Sequence, residues 1–167
     1  MTINSNSPYL KNEDRLGDVI AAIQVMGSYP FYKLSYENWA HRISGEGQIE
    51  KNGQYWKLIF EAHPEFFRLD TTGDKASLVW RRSYKRIYNV DKQRDLSDEE
   101  LSSLDLEGKK RVSRSPLKGD EISILINTAV NLHARAIEQD KEHRWMSSPL
   151  FALLNIALGG FLVWLGK

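Results

Sequence analysis

Between Met146 and Gly166 the 167-residue chain carries no charged side chain, and a run of that kind leaves few folds open. At about 1.5 Å per residue it makes a helix about 31 Å long, close to a hydrocarbon core of about 30 Å. Leu, Ile, Phe and Val side chains between Phe151 and Leu165 favour insertion by roughly 3 to 6 kcal/mol, a sum that Pro149, Asn155, Gly159 and Gly160 erode. Trp145 and Trp164 stand at its two ends as membrane-interface anchors, and Lys141, His143 and Arg144 outweigh Lys167. The segment 146–167 therefore predicts a C-terminal transmembrane helix, single-pass, with membrane lipid as a partner and the N-terminal body in the cytoplasm. Asn155 and Gly159 lie on a face of small and polar residues suited to helix–helix association. The competing reading is a buried core helix, which would want the polar face that this segment lacks.

The rest of the chain is of a different kind. Mean hydropathy is −0.48 and 23 basic residues balance 22 acidic ones, so no global charge draws the chain to nucleic acid or lipid. The absence of Cys excludes disulfide frameworks, thiolate zinc sites and cysteine nucleophiles. Residues 1–11 are short and polar, without the basic and apolar regions of a signal peptide. From Asn12, a candidate N-cap, Leu16, Val19, Ile20, Ile23 and Met26 fall on one helical face that Gly27 would end. A short β-prone piece, Phe31 to Leu34, precedes Ser35, which can cap a second helix carrying Trp39 and Ile43. Gly45 and Gly47 close it. A third helix is expected from about Gly53 to His63, with Tyr55, Trp56, Ile59 and Phe60 as its stripe and Pro64 after it. Phe66 to Leu69 and Ala76 to Tyr84 then read as a β-hairpin.

The Phe31 to Ser35 entry, the passage His63-Pro64-Glu65-Phe66-Phe67-Arg68-Leu69 and the ending Leu78-Val79-Trp80-Arg81-Arg82 carry a resemblance. Residues 12–84 resemble the winged-helix domain of the bacterial RNA polymerase delta subunit and of related eukaryotic chromatin proteins. The resemblance lies in element order and aromatic positions. It implies a winged helix in which a tryptophan of the last wing strand packs over the helices, and it invites a nucleic-acid reading. The fold class expected is α+β, mainly α with a small hairpin.

Residues 85–118 form a charged connector, basic then acidic then basic, whose blocks can pair with each other; Ser97 to Glu100 is a capping box that starts a short helix. Over 119–145 the helical period returns in an amphipathic stalk. Leu125, Ala129, Leu132 and Ala136 are spaced either to zip copies of the chain into a homo-oligomer or to pack on the body.

The four histidines stand apart without a metal-ligand spacing, and neither a phosphate-binding loop nor a nucleophile elbow is present. No cofactor is expected. Arg81, Arg82, Lys85 and Arg86 are candidates for phosphate or anionic-lipid contact, or else a solvated strand end. The favoured reading is a non-enzymatic, membrane-anchored adaptor or sensor acting through protein contacts and self-association. The alternative is a nucleic-acid-binding regulator with a membrane or dimerisation tail. A pore-forming effector is third.

Overall fold

Apolar residues at three- and four-residue intervals turn one face of each helix inward, and the aromatic side chains between them fill the space that three short strands leave. The structure, a computed structural model, describes residues 7–47 and 49–165, with side chains described as far as Glu142. A 3-10 turn, Pro8–Leu10, leads to α1 (Arg15–Ser28), which buries Val19, Ala22, Ile23 and Met26. The helix begins later than the sequence suggests: Asn12 O accepts the Arg15 N–H in the preceding turn, and Asp14 holds the N-cap position. Gly27 does not end α1 either. A Cβ there would lie 3.0 Å from Ile122 Cγ1, so its bare backbone admits a neighbouring helix.

β1 (Lys33–Ser35) runs into α2 (Tyr36–Ser44), capped by Ser35 Oγ on the Asn38 N–H and ended by Gly45 at φ +88°. α3 (Gly53–Ala62) is capped by Asn52, and Gly53 leaves no room for a side chain against the Glu37 backbone. β2 (Phe67–Leu69) and β3 (Lys75–Leu78) complete an antiparallel sheet of order β1-β3-β2, with Leu34 opposite Ala76 and Phe67 opposite Leu78. Trp39, Trp56, Ile59, Phe60, Phe67 and Leu78 form the centre of the core, each 1% exposed or less. Both buried indoles are satisfied: Trp39 Nε1 donates to Ala76 O and Trp56 Nε1 to Ser44 Oγ.

The last strand is shorter than its sequence predicts. After Leu78 the chain closes into a 3-10 turn, Trp80–Ser83, fixed by the Arg82 N–H on Val79 O. That turn points Arg81 inward, not along a wing. The supposed connector is also folded. β4 (Tyr88–Asn89), β5 (Arg94–Asp95) and β6 (Val112–Ser113) make a second antiparallel sheet, order β5-β4-β6, around α4 (Asp98–Ser102) and α5 (Leu106–Lys110). Ser97 and Glu100 form the expected reciprocal capping box. The opposed charge blocks pair, as Arg94 with Glu100 at 2.5 Å and Arg111 with Asp91 at 2.5 Å; Arg94 foremost holds the Glu100 carboxyl down to about 2.

α6 (Gly119–Leu165) is one continuous helix across the expected stalk and the segment that follows it. Leu125, Ala129 and Ala136 are buried in the core, and Leu132 packs against it. The stripe that reads as an oligomerisation seam is covered by α1 and the Pro8–Leu10 turn of the same chain. Among the described residues no helix is long and apolar enough to cross a membrane. This overturns the single transmembrane helix, the single-pass location and the membrane anchoring built on them. The described part of α6 carries Asp120, Glu121, Arg135, Glu138, Asp140 and Lys141 around its inward stripe. The side chains of Trp145, Asn155, Gly159 and Trp164 lie outside the described residues. Among those residues the fold is α+β, with six α-helices and two three-stranded sheets.

Candidate functional site

A guanidinium carries five N–H donors in a fixed fork, and in Arg81 all five meet backbone carbonyls. Nη1 donates to Met26 O (2.9 Å) and Tyr29 O (2.5 Å), Nη2 to Pro30 O (3.1 Å) and Arg114 O (2.5 Å), and Nε to Ser115 O (3.2 Å). Met26 lies in the last turn of α1, where unsatisfied carbonyls and the helix dipole favour a cation. Burial pushes the Arg81 guanidinium down to about 10, which still leaves it charged near neutrality. With 0% exposure, Arg81 makes no contact with a phosphate or a lipid headgroup. It clips the end of α1 to the segment that follows β6.

Arg82, Lys85 and Arg86 stay on the surface. Arg86 Nε donates to Val112 O, and Arg114 Nη1 donates to both Arg82 O and Tyr84 O. These bonds tie Arg86 and Arg114 to the seam where the segment 29–32 meets β6. There the Tyr32 N–H donates to Ser113 Oγ at 3.0 Å, and that hydroxyl donates to Pro30 O at 2.9 Å. Guanidinium groups lie over the rings of the same segment: Arg42 on Tyr29 at 4.2 Å, Arg111 on Phe31 at 5.0 Å and Arg114 on Tyr32 at 5.0 Å. The outcome is a band of arginine and aromatic side chains spanning the two sheets.

A second cluster joins the Pro8–Leu10 turn to the α3–β2 passage. Tyr9 Oη donates to Glu65 Oε1 at 2.8 Å, and His63 Nδ1 lies 3.1 Å from the same oxygen. A carboxylate only accepts, so Nδ1 carries the proton; Nε2 is buried without a partner among the described residues. The Tyr9 ring stands edge-on to His63 at 4.5 Å and to His133 of α6 at 6.1 Å. Burial opposes the charge on Glu65, but hydrogen bonds from His63, the backbone and Tyr9 outweigh it and hold the carboxyl below its ordinary 4.5. A carboxylate whose folded value is depressed adds stability above its unfolded value and loses it as pH falls through the folded one. The melting temperature of the protein will therefore fall on the acid side, below pH about 4.5, and Glu65→Gln will flatten that limb. Thermal unfolding followed across pH checks this; an acid limb equally steep in both proteins contradicts it.

The third cluster lies between α1 and α3. Asp18, 5% exposed, accepts from Lys51 Nζ at 2.7 Å and from the Tyr55 hydroxyl. It borders an open cleft of about 300 Å³ shared with Ala21, Ile43, Ser44 and Trp56. The bond to Asp18 raises the Lys51 ammonium, while burial, ahead of the same carboxylate, raises the Tyr55 phenol. Lys51 thus stays a cation and Tyr55 a donor, and both donate to the Asp18 carboxyl group.

Among the described residues no group of three or more His, Asp or Glu could hold a metal ion. No known protein family, curated protein or solved structure matches the chain. Of the residues singled out in the sequence, the fold ties Arg86 to the seam through Val112 O, joins the Arg82 carbonyl to Arg114, leaves Lys85 exposed, and withdraws Arg81 from the surface. It does not bring them to α3. The Arg42, Arg111 and Arg114 contributions and the Tyr9–His63–Glu65 cluster escape a sequence reading. Only the His63-Pro64-Glu65 spacing gives a local sign of the latter.

Proposed function

We propose that this chain is a non-enzymatic interaction module that works by binding another protein. Its body, with α1, β1, α2, α3 and the β2–β3 pair in that order and a sheet of order β1-β3-β2, supports a winged-helix-like arrangement. The observation that carries the protein-contact reading is the fate of Arg81: the arginine expected on the wing is used on five backbone carbonyls. α3, the element that would enter a groove, supports the same reading. Trp56, Ile59 and Phe60 are buried, Tyr55 is held by Asp18, and Lys57 lies 4.0 Å from Glu61. Few side chains remain to read base edges. Nucleic-acid binding is the second reading, favoured by the exposed Arg82 and Lys85.

The full chain, titrated at low salt against labelled duplex DNA and RNA, is expected to give no shifted band. Chemical crosslinking in lysate is expected to give discrete heavier species that survive nuclease. A shift that Lys57→Glu or Arg82→Glu abolishes, or crosslinked species that vanish with nuclease, overturns the proposal.

A further inference from the structure

We infer that the arginine and aromatic band along the seam between the two sheets is the docking surface for an acidic protein segment, rich in Asp and Glu. The inference rests on the protein-contact reading and names the chemistry of the partner.

Charge is the first argument. Among the described residues no carboxylate pairs with Arg42, Arg82, Lys85, Arg86 or Arg114, although elsewhere in residues 85–118 the opposite charges find one another. The second argument is a carboxylate already seated in the band. Asp91 Oδ2 and Oδ1 accept from Arg111 Nε at 2.9 Å and Nη2 at 2.5 Å, the fork-on-fork geometry by which arginine recognises a carboxylate. The third is preparation. Stacked on Tyr29, Phe31 and Tyr32, three guanidinium groups have already lost much of the freedom that binding would otherwise remove. Arginine and tyrosine are enriched among the few residues that contribute most to binding at protein interfaces. A single-stranded nucleic acid fits less well, because the rings on which its bases would stack already carry guanidinium groups.

The test uses the full chain and a fluorescent peptide of alternating Asp and Glu, about a dozen residues long, in anisotropy titrations at low and raised salt. Binding is expected that weakens with salt and falls about tenfold or more in the Arg42→Glu, Arg82→Glu double variant, while Lys109→Glu with Lys110→Glu leaves it unchanged. The substituted side chains are exposed, and matching melting curves verify that each variant is folded. Equal losses in the two double variants, no loss in the first, or tighter binding of a thymidine oligonucleotide of equal charge overturns the inference. If the peptide fails to bind while nuclease-resistant crosslinked species persist, the docking surface falls and the protein-contact reading stands. If those species are absent as well, both fall.

Discussion

Replacing Arg81 with Met will destabilise the protein by about 3 to 5 kcal/mol, the upper range of single substitutions, because several buried carbonyls lose their donor at once. The variant keeps the aliphatic stem and loses all five donors. Met26 O, Tyr29 O, Pro30 O, Arg114 O and Ser115 O then lose an acceptor bond at a site that water does not reach. Arg81→Lys keeps the charge but offers three donors from a single point in place of a planar fork, so part of the loss remains. Urea unfolding of the three proteins checks this. A midpoint unchanged in the Met variant would show that the five carbonyls do not depend on the guanidinium.

The second large effect is expected at Trp39. Its indole is fully buried, packs edge-on to Tyr29 at 5.9 Å, and donates to Ala76 O of β3 at 2.9 Å. Trp39→Ala leaves a cavity between α2 and the sheet and costs about 3 to 5 kcal/mol. Trp39→Phe retains most of the ring and loses the donor, costing about 1 kcal/mol for the bond beyond the smaller packing change. The ordering of the two variants in denaturant unfolding is the check. If Phe is as damaging as Ala, the hydrogen bond matters more than the ring.

What was legible in the sequence was what neighbours in sequence decide. Ser97 and Glu100 stand at the spacing of a reciprocal cap, and Ser35 stands just before an amphipathic stretch; both act within a single turn. Trp39, Trp56 and Phe60 fall on predictable inward faces. Arg81 was not legible, because its acceptors are main-chain oxygens 33 to 55 residues away, and a carbonyl leaves no mark on residue identity. The short strands Tyr88–Asn89 and Val112–Ser113 carry too little alternation to stand out from a charged stretch. The stripe Leu125, Ala129, Leu132 and Ala136 announced an apolar face but not its cover, which α1 supplies through Gly27 and its close approach to Ile122. The uncharged run after Met146 shows the limit of reading length and hydropathy alone. In the fold its backbone continues the helix that begins at Gly119.

The seam between the sheets also sets an order of events in folding. Tyr32 and Ser113 are 81 residues apart, and Pro30 and Ser113 are 83 apart, whereas α2 and α3 are adjacent in sequence and Phe67 and Leu78 are brought together by a short turn. Closing the longer loop costs more entropy and is rewarded only once both of its ends are structured. On that ground α1, α2, α3 and the first sheet are expected to assemble ahead of the seam. Until residues 114 and 115 arrive, the Arg81 guanidinium can keep part of its hydration shell, and it loses the last of that water when the seam closes.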